Sequence, residues 1–240
     1  MRVKKHKEEI EFFDSIKSWW GANGEMDMLH QMNQLRLEFI LNKINTHFVE
    51  LPNDNKSCHL SVLDVGCGGG VASEPMARIG YEVTGVDGSL EAIKTASEHA
   101  KAMGLSIEYM SQKIETLNLK RKFDIILALE VVEHVDDLDS FVKILRQHLK
   151  SNGIVFISTI NQTTKSYFMS ILMAEYILGI VPKKTHDWQK FIKPSRLYGS
   201  LENEGLVPLN MSGMVYNPLF QKWTLKPDIS NNYILCAKIE

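Results

Sequence analysis

Residues 63–70 of this chain read Leu-Asp-Val-Gly-Cys-Gly-Gly-Gly, and Asp87 follows about 20 positions after the first glycines. A glycine loop lets the backbone approach a ligand closely, because no Cβ stands in the way. A carboxylate at that distance can accept hydrogen bonds from both hydroxyls of a ribose. The pair therefore points to a nucleoside-bearing ligand. Two common glycine loops are excluded. A dinucleotide fingerprint read from Gly66 needs Gly or Ala at position 71, which is Val71, and a phosphate loop needs a following Gly-Lys-Ser/Thr, which is absent. A second group is Glu130, Glu133 and His134, two carboxylates and an imidazole within five residues. Such a set can bind a divalent cation or exchange a proton with a substrate. Each group also has a plain structural reading. Asp87 can cap a turn, Asp64 can pin the loop through backbone amides, and the Glu-x-x-x-His turn can brace the following helix.

The elements that would carry these residues alternate regularly. Strands are expected at 60–65, 81–86, 106–110, 123–129 and 154–160, with helices at 70–79, 89–103 and 137–149. Ser89 suits a helix N-cap, with Glu91 in the first turn. Apolar strands between helices predict an α/β fold with a parallel sheet covered on both faces. Ligands of such sheets bind beyond the carboxyl ends of the strands, so the chemistry belongs at 64–70, 87–88, 129–134 and 160–165. Ahead of this core, residues 1–20 read as an amphipathic helix ending in Trp19-Trp20. Asp27–Phe48 reads as a second helix, with Leu29, Met32, Leu35, Phe39 and Ile40 at helical spacing. The polar break at 51–57 divides the chain into an N-terminal helical extension (1–50) and a main domain (51–240). After the fifth strand, 194–204 reads as a last helix. Residues 206–216 and 230–239 read as closing strands, joined by a proline-containing excursion.

Composition narrows the class further. A formal net charge of −2 gives no case for nucleic acid, whose binders carry a basic face. Cys58, Cys67 and Cys236 are few and widely spaced, which fits a reducing compartment and gives no disulfide framework. The charged N-terminus lacks the apolar core of a signal peptide. No stretch reaches the roughly 20 apolar residues of a membrane-spanning helix. The expected place is the cytoplasm.

Asp64, Gly66, Gly68 and Gly70 match D-x-G-x-G-x-G, and the loop resembles motif I of the class I S-adenosylmethionine (SAM) methyltransferases. Further blocks lie along nearly all of the chain: Trp19-Trp20, Leu29-His30-Gln31-Met32-Asn33-Gln34-Leu35-Arg36-Leu37, Glu130–Val135, and Thr185-His186-Asp187-Trp188 with Phe191-Ile192-Lys193-Pro194. Together they resemble the ubiquinone-biosynthesis O-methyltransferases, from about residue 9 to 238. Gln34 departs from the family, which usually has proline there.

The resemblance implies a Rossmann-like sheet of seven strands, mostly parallel with an antiparallel C-terminal strand. It implies SAM as cofactor, held at Arg36, Asp64, Gly66, Gly68, Asp87 and Leu129. Mg²⁺ would be held by Glu130, Glu133 and His134, and His134 and Glu130 are the expected catalytic residues. It implies O-methylation of catechol-type hydroxyls on polyprenylated phenols and quinols, with other ubiquinone-biosynthesis enzymes as partners. The apolar insert at about 162–193 contains Tyr167–Val181, flanked by Lys165, Lys183 and Lys184. Its length is too short to cross a bilayer. With basic flanks, 165–184 suits contact with anionic lipid at the inner face of the membrane. Two other readings compete. One is a class I methyltransferase for another small molecule or RNA; the other is a SAM-binding or membrane-surface protein without catalysis.

Overall fold

The computed structural model describes residues 19–20, 27–48, 60–166, 188–217, 219–220 and 222–240. Residues 1–18 of the helix expected over 1–20, most of the insert and Cys58 lie outside them. Helix α1 spans Asp27–His47 and is followed by β1 (Ser61–Val65), α2 (Ser73–Ile79), β2 (Glu82–Asp87), α3 (Leu90–Ala102) and β3 (Ile107–Ser111). Then come β4 (Phe123–Leu129), α4 (Leu138–His148), β5 (Leu149–Ile160), α5 (Pro194–Asn203), β6 (Leu206–Asn217), β7 (Lys222–Lys226) and β8 (Asn232–Ile239).

The strands form one sheet in the order β3-β2-β1-β4-β5-β8-β6-β7. The first five pair in parallel, whereas β5–β8, β8–β6 and β6–β7 are antiparallel. Ile125, Ile126, Leu127 and Ala128 of β4 are fully buried, because each successive side chain meets a covered face. One face packs Val142 and Leu145 of α4 and Leu197 and Leu201 of α5. The other packs Phe39, Ile40 and Ile44 of α1 and Met76 of α2. Burying each such side chain contributes roughly 1.5–3 kcal/mol. Helix α1 therefore shares a core with β1 and β4, on whose carboxyl ends the cavity described below depends.

The helix starts follow their side chains. Ser89 Oγ accepts from the Ala92 amide at 3.0 Å, as its cap role requires. Asp137 Oδ2 accepts from Ser140 N at 3.1 Å and opens α4.

The sheet has eight strands, where seven were expected. The added one, β7, lies in the stretch read as an excursion. Trp223 and Leu225 alternate with Lys222, Thr224 and Lys226, and the period of two pairs them with Gly213–Asn217 of β6. β8 and β7 run opposite to the other six strands. Strand β5 also begins earlier than expected: Leu149 already pairs with Phe123, and the register shifts before Ile125 and Ile154.

The chain leaves β1 to build β2 and β3 on one side, then returns to place β4 on the other. This reversal opens a crevice at the carboxyl ends of β1 and β4, where sheets of this type hold ligands.

Candidate functional site

A cavity of about 270 Å³ occupies that crevice, large enough for a small organic ligand rather than a single ion. Its wall includes Arg36, Asp64, Gly66, Gly68, Asp87, Leu129, Glu130, Glu133 and His134. Every site residue named from the sequence is thus brought to one place, from α1 and from the ends of β1, β2 and β4.

The glycine loop is tied to β2. The amides of Gly66 and Cys67 both donate to Val86 O, at 2.7 and 3.1 Å. Gly66 has φ of +71°, and a Cβ there would collide with Val131 of the loop after β4. Glycine is therefore required twice at this position, by backbone conformation and by close approach. Asp87 accepts from Gly68 N at 2.9 Å through Oδ2 and from Ser89 N at 2.8 Å through Oδ1. It braces the loop and also lines the cavity.

Asp64 is buried and accepts from Ser73 Oγ at 2.6 Å. Burial pushes its pKa up to about 6, with the Asp87 charge adding and the Ser73 hydrogen bond opposing. The raised folded value means that ionised Asp64 weakens the fold. That cost is absent below the ordinary carboxyl range near 3.8 and fully present above about 6. Asp64→Asn keeps an acceptor for Ser73 and removes the titration. Thermal melts of the unliganded protein should show the two chains equal near pH 4. The Asn variant should be the more stable at pH 7.5, by about 3 kcal/mol at most. A constant difference across that range would contradict this account.

At the end of β4, Glu130 has φ of +56°, the only non-glycine residue with positive φ among those described. Strain of this kind persists where surrounding contacts hold it. Glu130 N donates to Ser158 O at 3.0 Å, Ser158 Oγ donates to Glu130 Oε1 at 2.9 Å, and Arg36 Nη2 meets the same Oε1 at 2.6 Å. Arg36 is 1% exposed, and its Nε is buried with no hydrogen-bond partner among the described residues. A buried guanidinium donor beside the cavity suits a ligand carboxylate, as Asp87 suits a ribose diol. Glu133 is buried and accepts from Thr159 Oγ1 at 2.8 Å. Burial first, then the Glu130 charge, raises its pKa, and His134 opposes the rise. His134 N closes the turn on Val131 O at 2.8 Å.

As donor types, two carboxylates and an imidazole suit a divalent cation. As arranged, they do not form a metal site: no group of three His, Cys, Asp or Glu side chains is assembled for one among the described residues. Glu130 is engaged by Arg36 and Ser158, and Glu133 by Thr159.

Trp19, Asn33 and the Lys113–Glu115 turn also line the cavity and were not assigned from the sequence. Trp19 and Asn33 stand inside distinctive blocks, which was the available signal. Nothing in the sequence marks the turn after β3.

A family model described as a methyltransferase domain matches residues 28–209. A ubiquinone biosynthesis O-methyltransferase of Pelagibacter ubique is 44% identical over 230 residues, 95% of this chain and 96% of that protein. One from Rickettsia felis is 42% identical over 231 residues, 96% of this chain and 92% of that protein. This chain belongs to the ubiquinone biosynthesis O-methyltransferases. The fold agrees. Magnesium protoporphyrin IX methyltransferase from Synechocystis PCC 6803, solved with bound SAM, superposes with a TM-score of 0.62 at 17% identity, covering 100% of this chain and 95% of that one. The class I SAM methyltransferase fold accounts for the cavity's place at the carboxyl ends of β1, β2 and β4. Among the described residues, no helix of this O-methyltransferase is long and apolar enough to cross a membrane.

Proposed function

We propose that the protein transfers the methyl group of SAM to catechol-type hydroxyls of polyprenylated ubiquinone precursors, namely 2-polyprenyl-6-hydroxyphenol and 3-demethylubiquinol. The observation that carries this reading is the match to ubiquinone biosynthesis O-methyltransferases over about 96% of the chain. SAM lies across the ends of β1, β2 and β4. Asp87 takes the ribose hydroxyls, and the Gly66–Gly68 backbone and Leu129 flank the nucleoside. Arg36, oriented by Glu130, takes the carboxylate.

The acceptor oxygen attacks the methyl carbon in line with the departing sulfur. The C–O bond forms as the C–S bond breaks, the sulfur keeps the electron pair, and S-adenosylhomocysteine leaves. The enzyme contributes mainly positioning, which can remove several kcal/mol of barrier. His134 accepts the phenolic proton as general base. Glu130, Glu133 and His134 have the donor types for Mg²⁺ but are not gathered around one point for it, so no step is assigned to a metal.

The site of action is the cytoplasmic face of the membrane, with 165–184 as lipid contact. Of its basic flanks, Lys165 is paired with Asp228 at 2.7 Å.

The test is methyl transfer from labelled SAM to a catechol carrying a short prenyl tail, in mild detergent, with Mg²⁺ or with a chelator. Methylated catechol is the expected product, and no product in either condition overturns the acceptor assignment. Product lost with chelator would overturn the metal-free reading and require Glu130, Glu133 and His134 to rearrange around a cation. Product in both conditions leaves His134 as the base alone.

A further inference from the structure

The tandem tryptophans precede α1, yet they are docked on the glycine loop. Trp20 Nε1 donates to Gly69 O at 2.9 Å. The Trp20 ring stacks on His99 of α3, with centroids 4.0 Å apart and planes 5° from parallel. His99 Nδ1 in turn meets Glu74 Oε1 of α2 at 2.6 Å, and Glu74 is buried. From α1, His30 Nε2 lies 2.7 Å from Trp19 O. Three helices thus hold this two-residue strap.

Trp19 itself is buried and forms part of the cavity wall beside Gly68. Its indole covers Gly68 and Gly69 so closely that a Cβ at either would stand within 3 Å of the ring. The glycines at 68 and 69 therefore admit a side chain of the protein's own N-terminal segment. Gly69 does not have the left-handed backbone of Gly68, so alanine at 69 would be opposed by the indole rather than by its own φ.

We propose that Trp19 is a positioning residue for SAM, fixing the glycine loop from outside the sheet, and that the Trp20–His99–Glu74 chain is its anchor. The inference rests on the SAM site proposed above and is independent of the methyl acceptor.

The test is calorimetric titration of the full chain with SAM alone, with thermal melts alongside. Gly69→Ala should weaken SAM binding by about tenfold or more, and Trp19→Leu should weaken it as well. In a Trp19→Gly background, adding Gly69→Ala should change the dissociation constant by less than about threefold, because the Trp19 Cβ and Cγ that oppose it are gone. If Trp19→Gly does not fold, Trp19→Leu alone, which strips the outer indole ring from Gly68, carries the test. His99→Gln keeps an N–H donor for the Glu74 carboxylate but removes the stacked ring. It should raise KM for SAM by about threefold or more, with a smaller change in kcat, a split that general loss of stability would not produce. Additive effects of Gly69→Ala and Trp19→Gly would overturn the proposal. So would a folded Trp19→Leu chain that binds SAM as the unaltered chain does. If the unaltered chain bound no SAM, the site reading would fall and this inference with it. SAM binding without catechol methylation would count against the acceptor alone and leave the strap standing.

Discussion

Arg36→Ala is expected to reduce SAM affinity by about 100-fold and methyl transfer with it. It should also lower stability by about 3 kcal/mol, because one partner of a buried ion pair is removed. Arg36 is 1% exposed and meets Glu130 at 2.6 Å. Glu130 is itself held in a left-handed conformation by Ser158 and the turn around it. Among the described residues, loss of the arginine leaves a carboxylate facing the cavity with the Ser158 hydroxyl against it. The double variant Arg36→Met/Glu130→Gln separates the two effects. Replacing a buried pair by groups of similar volume is often neutral for stability. The double variant should therefore recover most of the melting temperature while SAM binding stays weak. Thermal melts and calorimetry read both quantities. Recovery of affinity together with stability would mean that Arg36 only supports the fold.

Asp87→Ala should raise the SAM dissociation constant by about 100-fold, with Asp87→Asn falling between. Hydrogen bonds to charged groups are worth roughly 1.5–3 kcal/mol each. The carboxylate serves two partners of the protein, Gly68 N and Ser89 N, besides the ribose hydroxyls proposed for it. Alanine removes all of these acceptors, whereas asparagine keeps one. A sharper test uses a ligand lacking a ribose hydroxyl. The unaltered protein should bind 2′-deoxy-S-adenosylhomocysteine more weakly than S-adenosylhomocysteine, and Asp87→Ala should bind the two alike. If Asp87→Ala still distinguished them, the diol would have another partner, and Asp87 would be a loop brace alone.

The core of the site was legible in the sequence because it is local. Asp64, Gly66, Gly68 and Gly70 sit on one strand–loop–helix junction, and spacing along the chain fixes where Asp87 falls. The same holds for Glu130, Glu133 and His134, which share one turn after β4. The strands could be read because both faces are covered, so Phe123–Leu129 is apolar almost throughout. Strand β7 was not legible. It has five residues with lysines at both ends, and its apolar positions, Trp223 and Leu225, gain meaning only against β6 and α1. Arg36 was reached through family resemblance. A helical arginine is ordinarily a solvated surface residue, and nothing local announces that this one is buried.

By itself the sequence determined the α/β class, the glycine loop after the first strand, the place of Asp87 beside it, and the family. Each depends on residue type at short spacing, where backbone geometry leaves few alternatives. Only the tertiary structure decided which distant groups meet. It set Arg36 against Glu130 across 94 positions of chain and bound Glu133 to Thr159 of β5. It also laid Trp19 over Gly68 and Gly69 and clamped Trp20 on His99. These contacts follow from how α1 and the strands share a common core, and burial rather than spacing in the chain selects their partners.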